Sequence, residues 1–444
     1  MIIKKSSILF NVSLLIFFRL VYDIVYFLIY PSHAYHGILL DINISKLIIS
    51  YLVLIMLGLF SMTNKRALPS KVMLRLLLYN FFLPFSSYFS LANQSLIFFI
   101  WCAVFFIILA LLTRNPLIIR SRKSLWMTLV PLMPILILAT AFLMTFSLNG
   151  LPSWTALNPL NVYQVRGVYT SSSVLEYVSS AAIYFALPLL LAHSYLGKKP
   201  ILIMLISLLW VFFYLSSGAR ISIAIFIIVA FFLLSSKFLK HESKVPFILM
   251  SGMLLSLIEL VSFNEIIFSH FSIYRSMIVP SWLTFEYFEY YSIEQTLYFA
   301  EQFPSLFNIN GAEVNSSLAV GERIFGKDAR TWANVGVFGY AFANMSYFGY
   351  LELLILVVVF KILDGCFVAL ESPGDRMSIL VVSIIYGLYF LNTNIYNLLL
   401  SRSLFMSLSF FIILVILRQS KPLFTKNGKI PSSNFSLVST AQDK

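Results

Sequence analysis

The chain has 444 residues, of which 60% are hydrophobic and 11% are charged. Soluble domains carry about 25% charged residues, so this composition excludes a soluble protein and predicts an integral membrane protein. The formal net charge of +13 is explained by loops that face anionic lipid headgroups, and it does not indicate nucleic-acid binding.

Transmembrane helices need about 20 mainly apolar residues each. Some of the apolar stretches in this chain are shorter, and they have to extend or tilt in order to span. The sequence predicts an all-α polytopic membrane protein, with residues 1–444 in one integral membrane domain. About twelve stretches are predicted to span the bilayer: 8–30, 47–62, 72–91, 96–112, 125–146, 175–196, 201–215, 221–236, 246–263, 348–363, 377–396 and 403–417.

The first apolar stretch carries Arg19 and Asp23, which interrupt it and argue for a retained helix instead of a cleaved signal peptide. Residues four apart lie on one face of a helix. We therefore expect a structural ion pair within the membrane, which we favour over a ligand site.

Charge placement predicts the topology. With twelve spans and a cytoplasmic N-terminus, 22 of the 31 lysines and arginines fall on the cytoplasmic side, which agrees with the positive-inside rule. Both termini are then cytoplasmic, including the tail 418–444. Two external loops are enlarged, 147–174 and 264–331, and loops of this length usually have a function.

Cofactor and metal signatures do not occur in the sequence. Cys102 lies within a predicted helix and Cys366 in a predicted cytoplasmic loop, so the two are not expected to pair. There is no metal-binding spacing of cysteine or histidine, and no nucleotide-binding glycine motif. We therefore predict no cofactor and no metal, and an ATP-driven pump is disfavoured.

Arginine dominates the predicted external face. Of the nine basic residues outside the cytoplasmic segments, seven are arginines, one of which is Arg19 within the first span, whereas lysines outnumber arginines fifteen to seven on the cytoplasmic side. The guanidinium group is always charged and matches phosphate oxygens with a rigid fork of donors. Taken singly, each arginine is better explained by a helix end or a loop carboxylate. As a set they predict a clamp for a lipid diphosphate: Arg166, Arg220, Arg275, Arg323 and Arg330.

Two polar stretches sharpen this prediction. In 161–169, Tyr163 and Tyr169 are candidates to stack on sugar rings beside Arg166, although an interfacial aromatic belt explains them equally well. In 216–220 two apolar stretches meet with almost no loop. If a helix begins near Ala219, its free N–H groups and dipole would assist Arg220 in binding an anion.

The second large loop and its end add further candidates. Trp282, Phe285 and Phe288 with Glu289 have the spacing of an amphipathic helix lying on the membrane. The uncharged run 331–344 contains Asn334 and Asn344, which need polar partners at membrane depth. Its Gly339 and Ala343 give a small-residue face for close helix packing.

The chain resembles the Wzy-type polymerases of O-antigen and capsular oligosaccharide repeat units. The likeness covers the whole architecture, and locally it is carried by 161–169, by the Gly-x-Arg turn in 216–223, and by the Asn-x-Gly-x-x-Gly run in 332–349. The resemblance implies a GT-C-like membrane glycosyltransferase in the bacterial cytoplasmic (inner) membrane. It implies transfer of a glycan from undecaprenyl diphosphate onto the next lipid-linked repeat unit.

Such a reaction needs an anion clamp for the diphosphate and a base for the acceptor hydroxyl. The resemblance assigns the clamp to the five arginines, with Arg220 as the catalytic one and Asn334 beside the substrate. It implies that a chain-length regulator and a flippase are partners, besides the lipid-linked glycans and the bilayer. For the base the sequence offers four candidates, each of which also reads as a solvated loop residue: Glu286, Glu289, Glu322 and His270.

Three other functions remain open. An O-antigen ligase shares the architecture but carries a histidine near the helix that follows its last large loop, and here His270 is far from 332–349. A flippase or other transporter usually shows internal repeats, and no repeat is evident between the two halves of the chain. A membrane scaffold would not need so many external arginines.

Overall fold

The fold is almost entirely helical in the computed structural model of the chain. The structure describes residues 2–34, 37–61, 67–117, 132–157, 162–235, 241–263, 266–302, 315–326 and 331–418. Within these ranges no strand forms, and the one isolated bridge joins Asp41 to Ala92. Helices satisfy their backbone groups internally, which the hydrocarbon of a bilayer requires.

Twenty α-helices follow one another along the described ranges. In chain order they are α1 Ile2–His33, α2 Ile44–Ser61, α3 Leu68–Leu76, α4 Leu83–Leu91, α5 Leu96–Leu112, α6 Met133–Asn149, α7 Val162–Val168, α8 Ser173–Ala181, α9 Leu187–Leu196, α10 Pro200–Ser217, α11 Arg220–Leu234, α12 His241–Ile258, α13 Ile267–Ser269, α14 Val279–Ile293, α15 Ser316–Phe325, α16 Val337–Met345, α17 Tyr350–Ala369, α18 Pro373–Tyr389, α19 Ile395–Leu399 and α20 Leu404–Arg418.

Several helices are long and apolar enough to cross a membrane, which confirms an all-α membrane protein. Six meet both criteria: Phe10–His33, Ile44–Ser61, Leu68–Leu91, Ser173–Leu196, Pro200–Ser217 and Pro246–Phe263. Four further apolar helices are shorter: Leu96–Leu112, Met133–Asn149, Ile221–Leu234 and Leu404–Leu417. On α10 the side chains of Ile201, Met204 and Leu208 are exposed, as expected of a face that meets lipid.

The contacts divide the chain into two compact units. Unit 1 comprises Met1–Leu117, Val245–Asp364 and Val382–Met406, and unit 2 comprises Ile118–Lys244, Gly365–Val381 and Ser407–Lys444. In unit 2, α6 packs on α10 through the rings of Phe142 and Phe212, whose centroids are 4.8 Å apart. In the same unit Phe185 meets Phe410 edge to face at 5.0 Å.

The core of unit 1 contains the ion pair predicted from the first apolar stretch. Arg19 is fully buried, and its Nε donates to Asp23 Oδ1 at 3.0 Å. The other guanidinium nitrogens donate to the hydroxyls of Ser86 at 3.2 Å and Ser90 at 3.1 Å on α4. Tyr51 of α2 donates to Asp23 Oδ2 at 3.1 Å. The pair therefore joins three helices, and the prediction of a structural role is confirmed.

The helix predicted around Trp282 and Glu289 forms as α14, but it does not lie on the membrane surface as the sequence predicted. Trp282 and Phe285 are almost completely buried, and the Phe285 ring stacks on Phe85 of α4 at 4.4 Å. The expectation of a helix lying on the membrane surface is therefore wrong. The same apolar spacing marks a face that packs against protein, and here α4 supplies the partner.

The run 331–344 packs closely, although at a different glycine from the one expected. A Cβ atom at Gly336 would lie 2.4 Å from the carbonyl oxygen of Phe390, so only glycine fits there. A Cβ atom at Gly339 would instead meet the side chain of Val335, in the turn before. Close approach to a second backbone is thus the role of Gly336.

Asn344 finds its polar partner in Glu352 of α17. Asn344 Nδ2 donates to Glu352 Oε2 at 2.9 Å, and both residues are buried. Neither Asn344 Oδ1 nor Glu352 Oε1 has a hydrogen-bond partner among the described residues. Asn344 Oδ1 and Glu352 Oε1 are therefore two buried acceptors for which the described part of the protein provides no donor.

Glu352→Gln is expected to keep or raise the thermal unfolding temperature of the purified protein. Glutamine retains an oxygen for Asn344 Nδ2 and adds an N–H that can donate to Asn344 Oδ1. Glu352→Ala instead leaves the buried amide unpaired, which costs about 1–3 kcal/mol. Thermal unfolding in detergent compares the two variants, and equal losses in both would contradict this account.

Candidate functional site

The turn between α10 and α11 is built around Gly218. Gly218 ends α10 in the left-handed conformation, with φ +61°, which glycine adopts without strain. The Ala219 N–H donates to Ser217 Oγ at 3.2 Å, and α11 begins at Arg220. The predicted helix start near Ala219 is confirmed, so the first turn of α11, whose N–H groups have no i−4 partner within the helix, lies at this turn. Of these groups, the Ser222 N–H donates to the Ala219 carbonyl at 2.9 Å. The Arg220 side chain lies outside the described residues.

Arg166 lies at the same turn. Its Nε donates to the carbonyl oxygen of Gly218 at 3.0 Å, and the residue is exposed. Val165, the residue before Arg166, packs with Tyr214 of α10 and with Ala156 in a small apolar cluster. Within this cluster Tyr214 also donates to the Ala156 carbonyl at 2.8 Å. Two of the five predicted clamp arginines thus belong to one turn in unit 2.

Two serines beside this turn have hydroxyl groups in need of a partner. Ser216, in the last turn of α10, and Ser222, in the first turn of α11, are buried. Neither hydroxyl has a hydrogen-bond partner among the described residues. Buried polar groups in native proteins are nearly always paired, so such atoms point to a ligand or water.

Of the two tyrosines predicted to stack on sugar, the structure describes the side chain of Tyr169. Tyr169 is half-buried at the end of α7, and its N–H donates to the Val165 carbonyl at 3.1 Å. Burial raises the pKa of the Tyr169 phenol. The Tyr163 side chain lies outside the described residues. The stacking role therefore remains a prediction for both.

The carboxylate candidates lie on α14 in unit 1. Trp282 Nε1 donates to Glu286 Oε1 at 2.9 Å, and burial raises the pKa of Glu286 above that of an exposed glutamate. The neighbouring Glu289 raises this pKa further, while Trp282 and Arg323 oppose the change. Glu289 is itself paired with Arg323 of α15 at 3.6 Å, and both are well exposed.

Replacing Glu286 by glutamine is expected to change the pH dependence of stability. The folded pKa of Glu286 is raised, so the protonated form is favoured on folding. Its stabilisation is present below the unfolded glutamate pKa of about 4.3 and is lost as pH rises through the folded pKa. The unfolding temperature of the wild type should therefore fall relative to Glu286→Gln as pH rises from about 4 to 7. Parallel curves for the two proteins would refute this.

His270 belongs to a chain of hydrogen bonds. Arg275 Nε donates to His270 Nε2 at 3.3 Å, so that nitrogen is an acceptor. His270 Nδ1 lies 3.0 Å from His33 Nε2, and His33 Nδ1 lies 3.3 Å from the Ile29 carbonyl. Because His270 Nε2 accepts from Arg275, the His270 proton lies on Nδ1, which donates to His33 Nε2. The His33 proton then lies on its own Nδ1, which donates to the Ile29 carbonyl, so both imidazoles are neutral. In His270, the lone pair that a general base would use to take a proton already accepts the hydrogen bond from Arg275. Arg275, a predicted clamp residue, thus has its partner within unit 1.

The remaining predicted residues have separate positions. Asn334 accepts from Ser317 Oγ at 3.2 Å and thereby connects the run 331–336 to the start of α15. Glu322 lies on α15 beside Arg323 and is half-buried. Arg330 lies outside the described residues. Among the residues that the structure describes, no three histidine, cysteine or acidic side chains are grouped to hold a metal ion.

One cavity in unit 1 involves residues that the sequence did not single out. It has a volume of about 470 Å³ and is lined by Glu289 together with Tyr30, Leu39, Leu40, Asp41, Ala92, Asn93, Gln94 and Ser95. The sequence does mark these residues, because Asp41 and the pair Asn93–Gln94 are polar positions that interrupt the apolar stretches on either side of them. Glu289 is the predicted site residue that reaches this cavity.

Comparison with known proteins adds no relative. No protein family, no curated protein and no solved structure matches the chain.

Proposed function

We propose that the protein polymerises oligosaccharide repeat units carried on undecaprenyl diphosphate, by glycosyl transfer at the outer face of the cytoplasmic membrane. The product is an O-antigen or capsular polysaccharide. The proposal includes twelve spans with both termini in the cytoplasm, and a bacterial inner-membrane location. A flippase that delivers the repeat units and a chain-length regulator are its expected partners.

The observation that carries the proposal is the turn 217–220. It combines Arg166, the start of α11 at Arg220, and the hydroxyls of Ser216 and Ser222, for which the described residues provide no hydrogen-bond partner. A helix N-terminus with an adjacent guanidinium group, here that of Arg166, favours a phosphate or diphosphate. A membrane protein meets such a group on lipid-linked intermediates, and a glycosyl diphosphate is one of these.

The reaction follows from this chemistry. The acceptor hydroxyl attacks the anomeric carbon of the donor sugar, a new C–O bond forms, and the bond to the diphosphate oxygen breaks. The diphosphate leaves with the bonding electron pair, and the cationic turn stabilises its charge. The acceptor proton passes to a general base as the new bond forms.

The surface glycan of a deletion strain tests the proposal. We expect each acceptor to carry one repeat unit, with full-length polymer restored by the wild-type gene. Full-length polymer that stays unattached to its acceptor would instead indicate a ligase. Lipid-linked repeat units trapped inside the cell would indicate a flippase. Either of these two outcomes contradicts polymerisation.

A further inference from the structure

We infer that Glu352 is a proton-binding site, at which the carboxyl group is a neutral acid at pH 7 and donates its proton to Asn344 Oδ1. Glu352 lies in the first turn of α17 and Asn344 in the last turn of α16, and both residues belong to unit 1. The predicted span 348–363 contains Glu352. Acidic residues within spans are rare, and many of them bind or pass protons. The inference goes beyond the proposed function and does not depend on it.

A carboxylate at position 352 would be poorly stabilised. Glu352 is 3% exposed, and Asn344 is fully buried. Glu352 Oε2 accepts from Asn344 Nδ2 at 2.9 Å, whereas Oε1 has no donor among the described residues. One hydrogen bond from a neutral amide does not replace the hydration that a charged carboxylate loses on burial. Burial therefore favours the neutral acid.

No counterion for Glu352 is found in the described part of the chain. The ion pairs there use the carboxylates of Asp23, Glu289 and Asp375. Tyr396 of α19 interacts electrostatically with Glu352, but a phenol is neutral at pH 7 and offers no positive charge. The dipole of α17 favours a negative charge in its first turn, but this effect is small beside the cost of burying an unpaired ion.

A single proton supplies what both orphan acceptors lack. A protonated carboxyl group has one O–H donor, and an amide that donates to one carboxyl oxygen can also accept from the other. A proton on Glu352 Oε1 thus gives Asn344 Oδ1 a donor, while the 2.9 Å bond from Asn344 Nδ2 to Oε2 is retained. A metal cation would instead require several more oxygen ligands than these two.

The protonated pair lies where three segments of unit 1 meet. The carbonyl oxygens of Ala343 and Asn344 accept the N–H groups of Leu297 at 2.9 Å and Tyr298 at 3.0 Å. The end of α16 is thereby bonded to the segment that follows α14, and the Asn344 side chain bonds it to α17. Loss of the proton would leave a buried charge at this junction, so the bound proton stabilises it.

Infrared spectroscopy of the full chain in lipid nanodiscs at pH 7 tests the inference without any glycan substrate. A protonated carboxyl group has a C=O stretching band separate from the bands of a carboxylate. We expect Glu352→Gln to remove the band of a single protonated carboxyl group from the wild-type spectrum. Asn344→Ala should keep this band but shift it to higher wavenumber, because the C=O group then loses the hydrogen bond from Asn344 Nδ2.

Glu176→Gln is the matched control, because Glu176 also lies in the first turn of a helix, α8, but is exposed and accepts from Ser171 Oγ at 2.9 Å. It should leave the band unchanged. A wild-type spectrum without a protonated band that depends on Glu352, or an unshifted band in Asn344→Ala, would overturn the inference. The Asn344→Ala spectrum decides the question even if Glu352→Gln does not fold.

Addition of Na⁺ or Mg²⁺ at constant ionic strength tests for a metal cation in place of the proton. We expect the unfolding temperature of the wild type to respond to these ions no more than that of Glu352→Gln. A rise in the wild type that is missing in Glu352→Gln would overturn the inference, because the unpaired acceptors would then bind the metal cation.

Discussion

Cells whose only copy of the gene carries Arg220→Ala are expected to display single repeat units instead of a polymer ladder. Arg220 opens α11 at the turn where Arg166 also lies. Removing one group that stabilises a leaving anion typically slows a reaction about 100-fold to 1,000-fold. A loss of that size would stop chain growth. The ladder on a gel measures it, with the amount of protein in the membrane checked in parallel.

Lys199→Ala is the matched control for Arg220→Ala. Lys199 precedes α10, the helix that ends at the 217–220 turn, and it is an exposed cation at the other end of that helix. Its loss should leave the ladder unchanged. Arg220→Lys tests geometry, since lysine lacks the planar fork of arginine and should restore chain growth poorly. A wild-type ladder from Arg220→Ala would remove Arg220 from the mechanism.

Asp23→Ala is expected to lower the free energy of unfolding by about 3–5 kcal/mol, because it leaves a buried guanidinium group without its counterion. Arg19 is fully buried, and its serine partners carry no charge to balance it. Asp23 also accepts from Tyr51 and Ser87, so the variant strands these hydroxyl groups too. Thermal unfolding of the purified protein, compared with the wild type under the same conditions, measures the loss.

The double variant Arg19→Met with Asp23→Leu separates loss of charge balance from loss of packing. Replacing a buried ion pair by apolar residues of similar size is often neutral or stabilising. We expect this variant to unfold closer to the wild type than Asp23→Ala does. If Asp23→Ala unfolds at the wild-type temperature, the ion pair does not stabilise unit 1.

Local spacing explains what the sequence predicted correctly. Arg19 and Asp23 are four residues apart, and in a helix that spacing alone brings them together. The start of α11 followed from Gly218 and the abrupt return of apolar residues after it. The helical, membrane-embedded fold followed from apolar runs whose length is set by the bilayer.

Contacts between distant segments explain what could not be predicted from the sequence. His33 and His270 are 237 positions apart, and no local pattern connects them. The cavity lined by Asp41 and Glu289 likewise needs segments 37–43 and 92–95 together with α14. The apolar stripe of α14 was visible, but periodicity alone does not distinguish a protein partner from a membrane surface. Phe85 supplies that partner.

Reconstitution tests the polymerase proposal most directly. The purified full chain would be placed in liposomes with one defined undecaprenyl-diphosphate-linked repeat unit, without nucleotide and without other proteins. The account predicts glycans of two or more repeats and one undecaprenyl diphosphate released for each bond formed, with both products absent for Arg220→Ala. Lipid-linked units that cross the bilayer unchanged, or that stay single while the wild-type protein is folded, would contradict it.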